Sequence, residues 1–344
     1  MPDDRAPAPA ARCGVPKKAS MPERADSSPP TPPISIGFAI LSHGDQALLK
    51  RLVARLNALY GDPPIACHHD DSQAPLDRAA LPANVAVVSP SIATGWGKLS
   101  VVSAGLAALR LLVDRADPDW VVFLSAADYP VRPADDVRRE LAASPWDAYL
   151  DARPVAGQGV GAASFGGTPN PKLTHFELAS NIHLKWQFYI GARLWVPVPK
   201  RRPRWRLGRH TFPLPFAGRH PFGPGFCAYY GDHWFSANRR AVRALIERTP
   251  QQTRLLRHLR LRAQADECYY QTMLANTPGL RICLDNKRYA EWNGGGAHPV
   301  LVEEAHVPAI LASGAHFARK FALRSAAIPL IDAALRSETA DAAA

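Results

Sequence analysis

Asp266 and Glu267 head an apolar, helix-like run from Ala265 to Leu274, in a chain where 30 acids face 41 Lys and Arg. An Asp at a helix N-cap satisfies backbone N–H groups that lack an intrahelical partner, and the helix dipole tolerates a second acid in the first turn. Read alone, the pair is a cap with a spare carboxylate. Glu267 becomes a candidate general base only if the rest of the chain supplies a reaction for it. Far downstream, Arg319 and Lys320 stand side by side, two fixed cations suited to a polyanionic group. His68, His69 and Asp70 could form part of a metal site, but neighbouring strand residues face opposite ways, which argues against one shared metal.

Such groups need a scaffold, and 344 residues at 47 % hydrophobic content can bury one large core or two small ones. No segment has the uninterrupted apolar length of a membrane span. Residues 1–33, rich in Pro, Ala and Ser, are expected to be a disordered tail without the apolar core of a signal peptide. The five cysteines are odd in number and free of C-x-x-C spacing, which argues against a disulfide framework or structural zinc and for a reducing cytoplasm. The net charge of +11 is concentrated: no acid occurs between Glu177 and Asp232, where Lys185, Arg193, Lys200, Arg201, Arg202, Arg204, Arg206, Arg209 and Arg219 all fall. Interleaved with Trp186, Trp195 and Trp205, that stretch could meet nucleic acid, anionic lipid or an anionic glycan, or be a solvated basic loop.

The pattern from Ile34 onward is that of an α/β domain. An apolar strand, Ile34 to Leu41, precedes a helical stretch carrying Leu48, Leu49, Leu52, Val53, Leu56 and Leu59. Short strands follow at Pro64 to His68 and Val85 to Val88. A second amphipathic helix spans Lys98 to Asp114, and Trp120 to Ser125 is apolar enough for a central parallel strand. This alternation predicts a mostly parallel sheet flanked by helices, with ligands at the carboxyl ends of its strands. Residues 151–225 are Gly/Pro-rich and weakly periodic, as binding loops are. Gly157-Gln158-Gly159-Val160-Gly161 lacks both the strand and the later acid of a dinucleotide fingerprint. Regularity resumes with Phe226 to Tyr230, a helix from Ser236 to about Thr249, the Glu267 helix, a strand near Leu280 to Leu284, and helices at Val307 to Ala312 and beyond Phe321.

Five polar-aromatic segments punctuate the ends of these elements: His68-His69-Asp70-Asp71-Ser72, Gly95 to Ser100, Ser125-Ala126-Ala127-Asp128-Tyr129-Pro130, Gly231-Asp232-His233-Trp234-Phe235 and His316 to Phe321. In this order they resemble the core-2/I-branching glycosyltransferase family, which includes the peptide O-xylosyltransferases, over about residues 34 to 325. The pattern H-x-D-x-x-S looks like His68 and Asp70, W-G-G-x-S like Trp96, Gly97 and Ser100, and S-x-x-D-Y-P like Ser125 to Pro130. G-S-x-W-F looks like Gly231 to Phe235, the aromatic acceptor segment like Tyr289 to Trp292, and F-A-R-K-F like Phe317 to Phe321. The chain departs from the pattern at Lys98, at Asp232 and His233, at Ala322, and at Ala297 to Val300, where His298 stands in place of a second Arg.

The resemblance implies a GT-A-like nucleotide-sugar-binding fold: one domain over 34–325, with a donor half (34–150), acceptor-side loops (151–225) and a catalytic half (226–325), then a C-terminal helix and frayed tail (326–344). It implies an inverting transfer of a sugar, N-acetylglucosamine first and xylose second, from a UDP-sugar to a glycan or other hydroxyl. Glu267 falls on the family's catalytic base, and Lys320 with Arg319 on its diphosphate contacts. His68, Asp70, Trp96 and Ser100 fall on the donor side; Asp128, Trp234 and Trp292 on the acceptor and sugar side. A base contributes roughly 10²- to 10⁴-fold, and the leaving diphosphate must be neutralised. Many GT-A enzymes use a metal held by D-x-D, but Ala126 stands where the first acid would be, so Arg319 and Lys320 are expected to replace it and no cofactor is expected. The expected partners are the UDP-sugar, a glycan or lipid-linked glycan acceptor, and an anionic membrane surface beside which a cytoplasmic protein would work; no specific nucleic acid is expected. The alternatives are a basic polyanion- or nucleic-acid-binding protein, or a relative that binds glycans without turnover.

Overall fold

A computed structural model describes residues 34–154, 221–222, 225–260, 264–292 and 298–341, with the backbones of short strands at 189–190, 194–195, 204–207 and 210–213. The expected N-terminal tail and most of the basic segment lie outside the described residues.

The leading strand β1 (Ile36–His43) sends Ile36, Phe38 and Ile40 to one face and Ala39 to the other, so helices cover both sides. Helix α1 (Gln46–Tyr60) follows, started by Asp45, whose carboxylate accepts from Ala47 N–H at 2.8 Å, and stopped by Gly61 at φ 70°. Strand β2 (Ile65–Asp70), strand β3 (Val85–Val87), helix α2 (Leu99–Ala116) and strand β4 (Trp120–Ser125) complete a parallel block ordered β3-β2-β1-β4. After β5 (Tyr129–Pro130) and helix α3 (Ala134–Ala142), β6 (Ala148–Leu150) extends the sheet.

The expected helix from Ser236 is two elements. Phe235–Asn238 is a strand inserted between β4 and β6, antiparallel to both, because Phe235 and Ala237 fill the core beneath the sheet. The helix starts only at Arg239, where the Asn238 side chain accepts from Ala241 N–H at 3.0 Å, and ends at Ile246; Thr249 then caps a separate helix, Pro250–Leu259. With Ile282–Cys283 at its edge, the result is a seven-stranded, mostly parallel sheet flanked by helices. A second correction concerns Asp266. Ala265–Glu267 is a 3₁₀ turn, the α-helix begins at Tyr269, and no side chain caps either start. Gln264 in the left-handed region (φ 53°) sets the turn apart from the helix behind it.

One core packs α2 and the helices Arg239–Ile246, Pro250–Leu259 and Tyr269–Asn276 on one face; the other packs α1 and α3. A smaller core lies under a three-stranded sheet of Arg288–Ala290, Phe317–Arg319 and β5, covered by helices Val307–Ala312 and Ala327–Asp341. Among the described residues no helix is long and apolar enough to cross a membrane. Cys67, Cys268 and Cys283 are free thiols, whereas Cys227 is disulfide-bonded, a pairing that the cysteine spacing did not lead us to expect.

Candidate functional site

At the end of β2, Asp70 is fully buried, and five hydrogen bonds converge on it, from Ser72 N and Oγ, Gln73 Nε2, and Thr94 N and Oγ1, between 2.5 and 3.0 Å. Burial alone would raise its pKa, but these donors outweigh it and hold the carboxyl far below the usual range. Five donors use up the acceptor capacity of a carboxylate. Asp70 therefore anchors the loop that follows β3. His68 makes the same connection: its Nε2 accepts from Ile92 N–H at 3.0 Å, and burial keeps the ring neutral. Ser100 Oγ accepts from Gly95 N–H at 3.1 Å, which fastens the turn containing Trp96 to the start of α2. Trp96 itself is 52 % exposed, its ring meeting His298 edge-on at 6.2 Å.

That turn leads directly to the candidate base. Gly97, at φ +67°, offers its carbonyl to Ala265 N–H at 3.2 Å. Glu267 is half-buried at the end of the 3₁₀ turn, its carbonyl accepting from Gly231 N–H at 3.0 Å and its Oε2 from the Tyr230 hydroxyl. Gly231 is obligatory: a Cβ there would lie 1.8 Å from the Asp151 carbonyl oxygen. Asp266, freed from capping, has Oδ2 at 3.4 Å from His233 Nδ1. His233 stacks on Trp234 at 4.4 Å, and the Arg319 guanidinium lies 4.7 Å from the Trp234 ring centre.

Asp128 completes the connection. The register pairing Ala318 with Tyr129 sets Asp128 beside Arg319, so Asp128 Oδ1 accepts from Arg319 Nε at 3.1 Å and Oδ2 from Ser125 N–H at 3.0 Å. Asp128 is fully buried, and burial pushes its pKa up against the pull of Arg319 and Arg288. Arg288, a residue that no motif marked, is itself buried and pulled down to about 10 by that burial. Lys320 differs from Arg319. It is partly exposed, forms no ion pair among the described residues, and is held below its usual pKa by burial and by Arg319. His43, at the end of β1, is likewise lowered, first by burial and then by the charge of Lys320. Trp234 is 7 % exposed, so the open aromatic face is that of Trp96. Trp292 is half-buried just beyond Arg288–Ala290. Among the described residues no three His, Cys, Asp or Glu side chains form a group able to hold a metal.

Six sequence-distant segments thus converge at the carboxyl ends of β1, β2 and β4. Sequence reasoning missed Tyr230, His233, Asp151 and Arg288, of which only His233 stood inside a quoted motif.

The architecture is that of a GT-A-like α/β protein. The core-2/I-branching enzyme family matches residues 36–149 and 202–312, and the chain belongs to that family. Xylosyltransferase 1 of Homo sapiens is 26 % identical over 274 residues, covering 77 % of this chain and 24 % of the relative. The Pan troglodytes and Rattus norvegicus proteins of that name are also 26 % identical, over 25 % and 29 % of their lengths. The chain therefore spans about a quarter of the curated relatives it matches.

Proposed function

We propose that this chain is an inverting glycosyltransferase that moves a sugar from a UDP-sugar to a hydroxyl acceptor without a metal ion. The observation that carries the reading is the continuous path Asp128–Arg319–Trp234–His233–Asp266, which ties the cationic pair to the turn bearing Glu267. In the reaction, the acceptor oxygen attacks the anomeric carbon as the bond to the diphosphate breaks. Glu267 takes the hydroxyl proton, and Lys320 meets the charge developing on the leaving diphosphate. One displacement inverts the anomeric centre. Arg319, committed to Asp128 and Trp234, positions this strand and adds its field. Asp128 is no candidate metal ligand here because its oxygens serve Arg319 and Ser125.

The donor sugar is N-acetylglucosamine or xylose; the relatives' name, xylosyltransferase, favours xylose. The acceptor is a glycan or another hydroxyl near the exposed Trp96, whose face suits a sugar ring. UDP release measured across UDP-sugars, with and without EDTA, tests this. Release with one of the two named sugars, unchanged by EDTA, is expected. Release only with added Mn²⁺, or with no UDP-sugar at all, would overturn it.

A further inference from the structure

Tyr230 is the most consequential residue near Glu267 that the proposed reaction leaves without a role. The chain around it is fastened along one side of the Ala265–Asn276 segment. Tyr229 N–H donates to Thr272 Oγ1 at 3.0 Å, and Thr272 Oγ1 returns a bond to Tyr229 carbonyl at 3.2 Å. Gly231 N–H donates to Glu267 carbonyl at 3.0 Å, and Gln271 Nε2 donates to Asp232 carbonyl at 2.5 Å. Between these bonds the Tyr230 ring is buried, 2 % exposed, and its hydroxyl donates to Glu267 Oε2.

We propose that Tyr230 is a positioning residue for the base: its hydroxyl fixes the orientation of the Glu267 carboxylate and favours the ionised form that accepts the acceptor's proton. The inference rests on the reading of Glu267 as the base.

The charges around the site give the contact its purpose. Asp266 shares the turn, Asp151 sits behind Gly231, and Asp232 receives Asn286 Nδ2 at 3.1 Å. Arg153 Nε is bound to Asp151 at 3.2 Å, His233 lies beside Asp266, and Lys98 is the charged residue of the Gly97 loop. Neighbouring acids disfavour ionisation of one more carboxylate, whereas a donor to its charged form favours it. The phenol can serve as that donor at any working pH. Burial first, then Glu267, Asp266 and Asp151, raise Tyr230 well above its ordinary value, so it stays protonated. The hydrogen bond also holds Oε2 in one rotamer, so the carboxylate need not be ordered when the acceptor arrives.

The test is the pH dependence of kcat/KM for Tyr230→Phe, which keeps the ring and removes only the donor. The acid limb, which reports the free enzyme's essential base, should move to higher pH by about 1 unit, as loss of a hydrogen bond to a charged group would do. Donor KM should stay within about threefold, because the contact is to the base and not to the nucleotide. 3-Fluorotyrosine at position 230, a stronger donor of the same shape, should move the limb the other way; it also serves if Tyr230→Phe does not fold. An unmoved acid limb in a folded variant of either kind would overturn the role of Tyr230 while leaving Glu267 as the base. Full transfer by Glu267→Gln would remove both.

Discussion

Arg319 and Lys320 are chain neighbours, yet they face different tasks. Arg319 is the partner of a fully buried carboxylate, and breaking such a pair leaves an uncompensated charge. Arg319→Ala should therefore lower stability by about 3 kcal/mol, less whatever Arg288 makes up, as read from denaturant unfolding. Lys320 has no carboxylate partner among the described residues, so Lys320→Ala should leave the unfolding transition nearly unchanged. It should instead lower transfer by roughly 10²- to 10³-fold, the effect of losing one donor to a developing anion. Equal destabilisation by the two variants would contradict this division. In the sequence the two cations look interchangeable; only the pairing of β5 with Phe317–Arg319 tells them apart.

At the scale of elements, α3 offers a pH prediction. Burial would raise Glu140, but His316 at 3.3 Å and Lys287 at 3.1 Å outweigh it and hold its carboxyl down to about 2; Arg132 pairs with the same carboxylate. His316 is fully buried, and burial lowers its pKa against the pull of Glu140, so at neutral pH Lys287 and Arg132 are the standing cations and His316 adds its charge on acidification. A carboxylate depressed in the folded state stabilises above its ordinary pKa of 4.5 and loses that contribution as pH falls toward about 2. Charging the depressed His316 on acidification works in the same direction. Glu140→Gln should cost about 1–2 kcal/mol at pH 7 and flatten the acid side of the stability profile; an unchanged profile would refute the assignment.

Which elements the sequence discloses follows from where their information lies. β1, α1, α2 and β4 carry their signals locally, in apolar runs and in caps such as Asp45 and Gly61. Phe235–Asn238 merges with the helix after it because Phe235, Ala237, Ala241 and Val242 form one apolar series. Only the open position between β4 and β6 makes a strand of its first part. Asp266 has the composition of a cap, but the carbonyl of Gly97 and the N–H of Gly231 hold its turn apart from the helix, and those contacts span long sequence separations. The motifs marked Glu267, Asp128 and Lys320; Tyr230, whose hydroxyl donates to Glu267, and Arg288, whose buried charge acts on Asp128, carry no local signal.

For the molecule as a whole, the site is assembled from both halves of the sheet, so a bound donor should stabilise the entire fold. At a UDP-sugar concentration 100 times its Kd the gain should be about 2.7 kcal/mol, visible as a raised Tm and unaffected by EDTA. A donor shift that appears only with added divalent cation would point to a metal-held diphosphate. The most direct measurement of the central claim combines donor binding and sugar transfer in Glu267→Gln. If Glu267 is the base, transfer should fall by about 10²- to 10⁴-fold while the donor-induced rise in Tm persists, because the amide keeps the shape of the side chain and cannot take the proton. Transfer at the unmodified rate with donor binding intact would contradict it.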